Sequence, residues 1–301
     1  MRIPFLALLA AAAAAIMPRT ATAQAAGQGA HAGKTALVTG STDGLGQALA
    51  RALAAEGAHV IIHGRNVERG QALVEEIEAS GTGSASFYAA DFASLQAVRD
   101  FADIIAANYP RLDLLVNNAG IAIPGGEPRR TSEDGHELQF AVNYLPGWVL
   151  VNRLRPNLAA AAPARVINIS SIAANPIQFD DVMLEQPGAQ ARGYGQSKLA
   201  QVTMTQALAP SFAEDSITMI ALHPATMMDT GMVTRDLNAA PRATVEEGRD
   251  HVLSLINAPD LEAGAFYIGG EATAPNPQAT DPAAQQQLVA LSAELTGVAA
   301  E

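Results

Sequence analysis

Thr39-Gly40-Ser41-Thr42-Asp43-Gly44-Leu45-Gly46, preceded by the apolar Ala36-Leu37-Val38 and running into a helical pattern over Leu45–Glu56, decides how the 301-residue chain is read. An apolar strand that ends in glycines and enters a helix at once is a strand–turn–helix junction. Glycines there allow a tight turn, close approach of a pyrophosphate to the backbone, and close helix–strand packing. The helix N-terminus adds unpaired N–H groups and the positive end of its dipole. The spacing is Gly-x-x-x-Gly-x-Gly, not the commoner Gly-x-Gly-x-x-Gly. A glycine turn alone is often only structural, so its surroundings have to carry the reading.

Working outward, apolar runs rich in β-formers recur at Ala36–Thr39, His59–His63, Ala85–Ala89, Leu112–Asn117, Arg165–Ser170, Thr218–His223 and Phe266–Ile268. Helical patterns lie between them at Leu45–Glu56, Val67–Ala79, Leu95–Asn108, Glu137–Leu158, Lys198–Ala213 and Val245–Ile256. Strands alternating with helices at this spacing predict βαβ units. The fold class is therefore α/β: a single Rossmann-type domain with a doubly wound parallel sheet, right-handed crossovers and helices on both faces. This domain should span 34–274, substrate loop included. The Pro/Ala/Gln-rich tail, 275–301, should carry one short helix around Ala283–Leu295.

The second strand ends in His63-Gly64-Arg65. Dinucleotide folds that prefer NAD place a carboxylate at this end, for the ribose 2′-OH. Arg65 stands there instead, and a guanidinium suits a 2′-phosphate, so NADP is expected ahead of NAD. As a single residue Arg65 also reads as a solvated loop arginine. Asp91, after the third strand, is positioned to accept from an adenine amino group, or to cap the helix that starts near Ser94.

Tyr194-Gly195-Gln196-Ser197-Lys198 puts a phenol and an ammonium four residues apart, on one helix face. A phenol is about one part in a thousand ionised at neutral pH, and bringing its pKa to 7 takes roughly 4 kcal/mol. A close ammonium and an oxidised nicotinamide act in that direction. Lys198 is also placed to bond the nicotinamide ribose. Ser171, at the end of the fifth strand, would donate to a substrate oxygen near the Tyr194 hydroxyl. Each of these is common singly for structural reasons.

Together they resemble the short-chain dehydrogenase/reductase family, over nearly everything after the leader. Thr39–Gly46, Asn117-Asn118-Ala119-Gly120, Asn143, Ser171 and Tyr194/Lys198 occur in that family's order. The resemblance implies direct, reversible hydride transfer between a nicotinamide and an alcohol or carbonyl carbon. Tyr194 would be the acid/base, Lys198 its electrostatic partner, Ser171 the oxygen positioner and Asn143 the helix-kinking residue that holds a relay water. It implies cofactor contacts from Gly40, Ser41, Thr42, Gly44, Leu45, Gly46, Arg65, Asp91, Asn118, Ala119, Gly120, Tyr194, Lys198 and Pro224. The chain is most similar to the retinol-dehydrogenase-like branch, through Arg65, Phe140–Leu145, the long insert before Tyr194 and the end of the tail. Pro224-Ala225 replaces the usual Pro-Gly, and one extra residue follows, so Thr226 and Thr230 are equal candidates for the carboxamide contact. The substrate loop is expected at Met227–Ala243, its Met227, Met228, Met232, Val233 and Leu237 forming an apolar lid or simply packing the loop.

Composition narrows the partners. With 18 basic and 30 acidic residues the net charge is −12, which disfavours nucleic acid. No cysteine is present and the six histidines lie apart, so no metal site is expected. A small alcohol, ketone or aldehyde is the expected substrate. The family implies a homodimer or homotetramer through the helices at Glu137–Leu158 and Lys198–Ala213. Arg2, the apolar Ile3–Met17 and Ala21-Thr22-Ala23 read as a signal peptide over 1–23, followed by a flexible leader over 24–33. The apolar run is short for a stable membrane span. If the leader is cleaved the protein is periplasmic or secreted; a misassigned start would leave it cytoplasmic, and an uncleaved anchor is the third reading. A further alternative keeps the fold but not the catalysis: an NADP-binding sensor or interaction protein.

Overall fold

The structure, a computed structural model, describes residues 29–300. The expected signal peptide and residues 24–28 of the leader lie outside the described residues. Residues 29–33, expected to be flexible, instead form a turn pinned to the domain: His31 is buried and its N–H donates to the Glu56 carbonyl at 2.9 Å.

Eight strands make one sheet in the order β3-β2-β1-β4-β5-β6-β7-β8. They are β1 Thr35–Val38, β2 His59–Gly64, β3 Ser84–Ala89, β4 Leu114–Asn117, β5 Ala164–Ile169, β6 Ile217–His223, β7 Phe266–Ile268 and β8 Glu271–Thr273. All pairings are parallel except β7 with β8. β8 was not expected; it follows the Gly269-Gly270 hairpin, and its three residues are all exposed, leaving no apolar pattern to read.

α1 (Gly44–Ala55), α2 (Val67–Ser80) and α3 (Leu95–Asn108) follow the first three strands. Asp43, Asn66 and Ser94 accept from first-turn amides and so fix where each helix begins. The stretch expected as one helix over Glu137–Leu158 is three: α4 (Leu138–Asn143), α5 (Leu145–Arg153) and α6 (Arg155–Ala161). Pro146 and Pro156 occupy the first turns of α5 and α6, where a missing N–H does no harm, but each would break a continuous helix. α7 (Gly193–Glu214) and α8 (Val245–Asn257) follow, and the tail forms two helices, α9 (Pro277–Thr280) and α10 (Pro282–Thr296), not one.

Two apolar layers sandwich the sheet. One gathers Leu49, Leu53, Ile62, Leu73 and Val252 around α1, α2 and α8; the other gathers Phe101, Trp148, Leu158, Leu199 and Phe212 around α3, α5 and α7. α10 closes the second layer from outside. Tyr144 bonds Ser292 at 2.6 Å, and the Trp148 indole donates to the Val298 carbonyl at 2.9 Å. The chain's own tail thus covers the helices through which the family resemblance implied subunit pairing. Among the described residues, no helix is long and apolar enough to cross a membrane.

Candidate active site

β1 pairs with β2 on one side and β4 on the other, so chain connections diverge in opposite directions at this point. A crevice opens there beyond the C-terminal ends of the strands, where α/β folds bind ligands. The glycine turn follows β1, and Asn117–Gly120 follows β4, so the two meet across the crevice. Gly40 (φ +63°) and Gly44 (φ +50°) both adopt left-handed backbone. A Cβ on Gly40 would lie 2.8 Å from the Ala119 Cα, and one on Gly46 would strike the Gly40 carbonyl and the Asn118 amide. The turn therefore leaves bare backbone at the α1 N-terminus, a surface that fits a pyrophosphate.

Side chains lock that shape. Thr39 Oγ1 accepts from the Asn118 and Ala119 amides at 2.9 and 3.0 Å. Asn118 Nδ2 donates to the Thr39 and Gly40 carbonyls at 2.8 and 3.1 Å, and Ser41 Oγ to the Val38 carbonyl at 2.7 Å. Thr42 lies against Gly64, and Leu45 is buried beneath the turn. Arg65 is exposed and pairs loosely with Asp91 at 3.6 Å. Asp91 closes its own loop by accepting from the Ala93 amide, whereas the α3 cap is Ser94, so the capping alternative for Asp91 does not hold. Arg69, unread from the sequence, pairs with Asp43 of the turn at 3.1 Å.

The second half of the site sits where β5 meets α7. Ser170 donates to the Lys198 carbonyl at 2.7 Å, which ties α7 to the strand. Its neighbour Ser171 faces the Tyr194 hydroxyl. Burial pushes the Tyr194 phenol up, and Ser171, which favours its ionised form, opposes that. Lys198 Nζ lies 5.7 Å from the centre of the Tyr194 ring and donates to the Ile169 carbonyl at 2.8 Å and to Gln201 Oε1 at 3.1 Å. Its burial brings the ammonium down to about 7. The expected pair is thus brought together, with the ammonium beside the Tyr194 ring.

Asn143 is the last residue of α4, and the helix axis breaks at Tyr144 just beyond it. Its amide clamps Ile121 from both sides: Oδ1 accepts the Ile121 N–H at 2.7 Å, and Nδ2 donates to the Ile121 carbonyl at 3.0 Å. Nδ2 also reaches Ser197 Oγ at 3.0 Å. Gly120 faces this group, where an added Cβ would sit 3.3 Å from Asn143 Oδ1 and 3.6 Å from Lys198 Nζ.

After β6, the two threonines part company. Thr226 bonds His223 Nε2 at 3.0 Å, while the Thr230 side chain lies against Gly44 of the glycine turn. Pro224 offers its carbonyl to His251 at 2.8 Å. The loop expected at Met227–Ala243 is closed at its base by pairing of Met228 with Ala243. Met228 packs inward against Gly248 and Val233 is buried, so these residues pack the loop. A cavity of ≈ 330 Å³ opens beside Ser171, lined by Ile172, Ala174, Phe266, Ile268 and Pro275 among others.

The family model for short chain dehydrogenases matches residues 34–241. Human retinol dehydrogenase 13 is 33% identical over 288 residues, covering 89% of this chain and 86% of that protein. Among solved structures, an uncharacterised protein from Mycobacterium paratuberculosis superposes with a TM-score of 0.71 at 26% identity, covering 91% of this chain and 96% of the other. A metagenomic short-chain oxidoreductase in complex with NADP gives a TM-score of 0.59 at 26% identity, over 76% of this chain and 94% of its own.

Proposed function

Because the chain belongs to the short-chain dehydrogenase/reductase family, in its retinol-dehydrogenase-like branch, and is thereby an NAD(P)-dependent alcohol/carbonyl oxidoreductase, we propose that Tyr194, Lys198, Ser171 and Asn143 form its catalytic site. The observation that carries this reading is the buried Lys198 beside the Tyr194 ring, with Ser171 next to the phenol, across the crevice from the bare glycine turn. A bound nicotinamide supplies or accepts the hydride. Tyr194 gives its hydroxyl proton to the carbonyl oxygen in reduction and takes it back in oxidation. Ser171 holds that oxygen at bonding distance from the phenol. Lys198 stabilises negative charge on the phenol whenever its own nitrogen is protonated. Asn143, through Ile121, fixes the floor on which Lys198 and Gly120 face each other.

NADP as the preferred cofactor is supported by Arg65 at the β2 end, where its loose ion pair with Asp91 leaves the guanidinium available to a phosphate. Arg65→Ala should raise KM for NADPH while leaving KM for NADH unchanged. A hydrophobic carbonyl compound is supported by the similarity to retinol dehydrogenase 13. Thr230, at the glycine turn, is the better placed of the two threonines for a cofactor contact. Export on residues 1–23 follows from the sequence pattern alone, and sequencing the N-terminus of the mature protein tests it.

The deciding experiment follows NADPH and NADH oxidation across aldehydes and ketones. Tyr194→Phe should lower kcat by about 10²–10⁴-fold, the worth of a general acid, with cofactor binding retained. Undiminished turnover in that variant would overturn the assignment, and cofactor binding with no turnover on any substrate would favour a sensor.

A further inference from the structure

The geometry points to His63 as a positioning residue for the dinucleotide, its ring bridging the glycine turn and the loop that carries Asp91. The inference rests on the family's use of NAD(P) across the crevice. His63 is the penultimate residue of β2 and is 3% exposed. Its Nδ1 accepts the Gly40 amide at 3.0 Å, and its Nε2 lies 3.2 Å from the Ala90 carbonyl. A carbonyl accepts only, so Nε2 bears the proton and Nδ1 is left as the lone pair that Gly40 uses. Burial, the largest effect, lowers the ring to about 4, which keeps it neutral and preserves that assignment at ordinary pH. Phe92 stacks on the imidazole at 4.0 Å between centroids and Phe101 lies at 4.8 Å, so the ring has little freedom to turn.

Attachment of the strand to the turn does not need this side chain. The backbone of His63 is already tied to Ser41 twice: its carbonyl accepts the Ser41 N–H at 2.8 Å, and its own N–H donates to Ser41 Oγ at 3.0 Å. What the ring adds is a restraint on Gly40, the first left-handed residue of the turn, and a fixed link from Gly40 to Ala90, next to Asp91. Those two segments follow the strands on either side of β2 and so flank its end, where Arg65 stands. An imidazole offers an acceptor and a donor on opposite edges of one rigid ring, which suits a bridge between two backbones. His63 touches neither reacting atom, so its loss should weaken cofactor binding without changing the chemical step.

The test measures dissociation constants for NADPH and NADH by titration calorimetry on the full chain, with kcat at saturating cofactor. His63→Leu removes both bonds and frees the turn, and should weaken binding of both dinucleotides by about tenfold, the worth of about one hydrogen bond of preorganisation, with kcat unchanged. His63→Asn places an amide oxygen near the Nδ1 position and should recover most of that affinity. His63→Gln reaches the Nε2 position instead and should stay close to the leucine variant. The inference is overturned if the leucine variant binds like wild type, if kcat falls in step with affinity, or if asparagine recovers no more than glutamine. Should His63→Leu fail to fold, the contrast between asparagine and glutamine decides alone. Wild-type protein that binds neither dinucleotide would overturn the dehydrogenase reading itself, and this inference with it.

Discussion

Replacing Thr39 by valine changes shape little and removes one oxygen. That oxygen accepts two backbone amides, Asn118 at 2.9 Å and Ala119 at 3.0 Å, in a residue only 1% exposed. Its proton goes to the Val116 carbonyl at 3.3 Å, but that carbonyl keeps the Thr39 N–H at 3.0 Å and is not orphaned. The Asn118 amide keeps the Val116 carbonyl at 3.0 Å, so the damage is one half-buried donor, the Ala119 amide, left without its partner, at about 1–3 kcal/mol. Better burial of the valine methyl offsets about 1 kcal/mol, leaving a net loss centred on about 1 kcal/mol. For a domain of this size that is a fall of about 2–4 °C in Tm. Thr39→Ser keeps the acceptor and loses one methyl, about 1 kcal/mol. Thermal and urea unfolding of the three proteins measures both losses. Cofactor affinity should fall in the valine variant and hold in the serine variant, because the Thr39 Oγ1 bonds hold the Asn118–Gly120 segment against the glycine turn. A valine variant with wild-type stability and cofactor affinity would refute the reasoning, since it would mean the Ala119 amide finds another partner at no loss.

Two further outcomes follow from the geometry. Burial raises the Tyr194 phenol, so its base form is scarce at neutral pH and grows as pH climbs toward that raised value. Alcohol oxidation should accelerate with rising pH while carbonyl reduction changes little around neutrality; kcat in both directions across pH checks this, and pH-independent oxidation would contradict it. Leu288, buried on α10 in the same apolar layer as Trp148, should lose about 2–5 kcal/mol on replacement by alanine. The chain has a single tryptophan, so red-shifted fluorescence at a lowered Tm reports loosening of the tail directly.

The glycine turn, the Tyr194–Lys198 pair and the strand–helix alternation were legible because each is local: a few adjacent residues state the backbone conformation or the shared face. What stayed hidden depends on partners far along the chain. Thr39 meets Asn118 79 residues later, and His63 reaches back 23 residues to Gly40. Nothing around His63 distinguishes it from a core histidine until the turn is folded against it. Gln201 lies one helical turn from Lys198 but shows its purpose only once both side chains are buried. The break of Glu137–Leu158 into three helices was written in Pro146 and Pro156, yet the apolar period runs on through both and masked them. The docking of α10 was illegible for another reason. Its small buried set, Ala284, Leu288, Ser292 and Thr296, marks a face without naming what that face covers.

Burial works against charge on both members of the proposed catalytic pair, and this bears on direction. An ammonium beside the ring, 5.7 Å from its centre, favours the phenolate. That help is available only while Lys198 is protonated, and burial leaves it near half-charged at neutral pH. The Ile169 carbonyl and Gln201 Oε1 both accept from Nζ, so they favour the charged form without adding a negative charge that would cancel its effect on Tyr194. A phenol already raised by burial is ionised in fewer than about one molecule in a thousand at pH 7. An oxidation that begins with the phenolate first has to ionise a phenol that burial has raised, whereas a reduction that begins with the neutral phenol does not. Burial therefore suits the proposed Tyr194–Lys198 pair to deliver a proton, and carbonyl reduction faster than alcohol oxidation at neutral pH is the outcome expected of it.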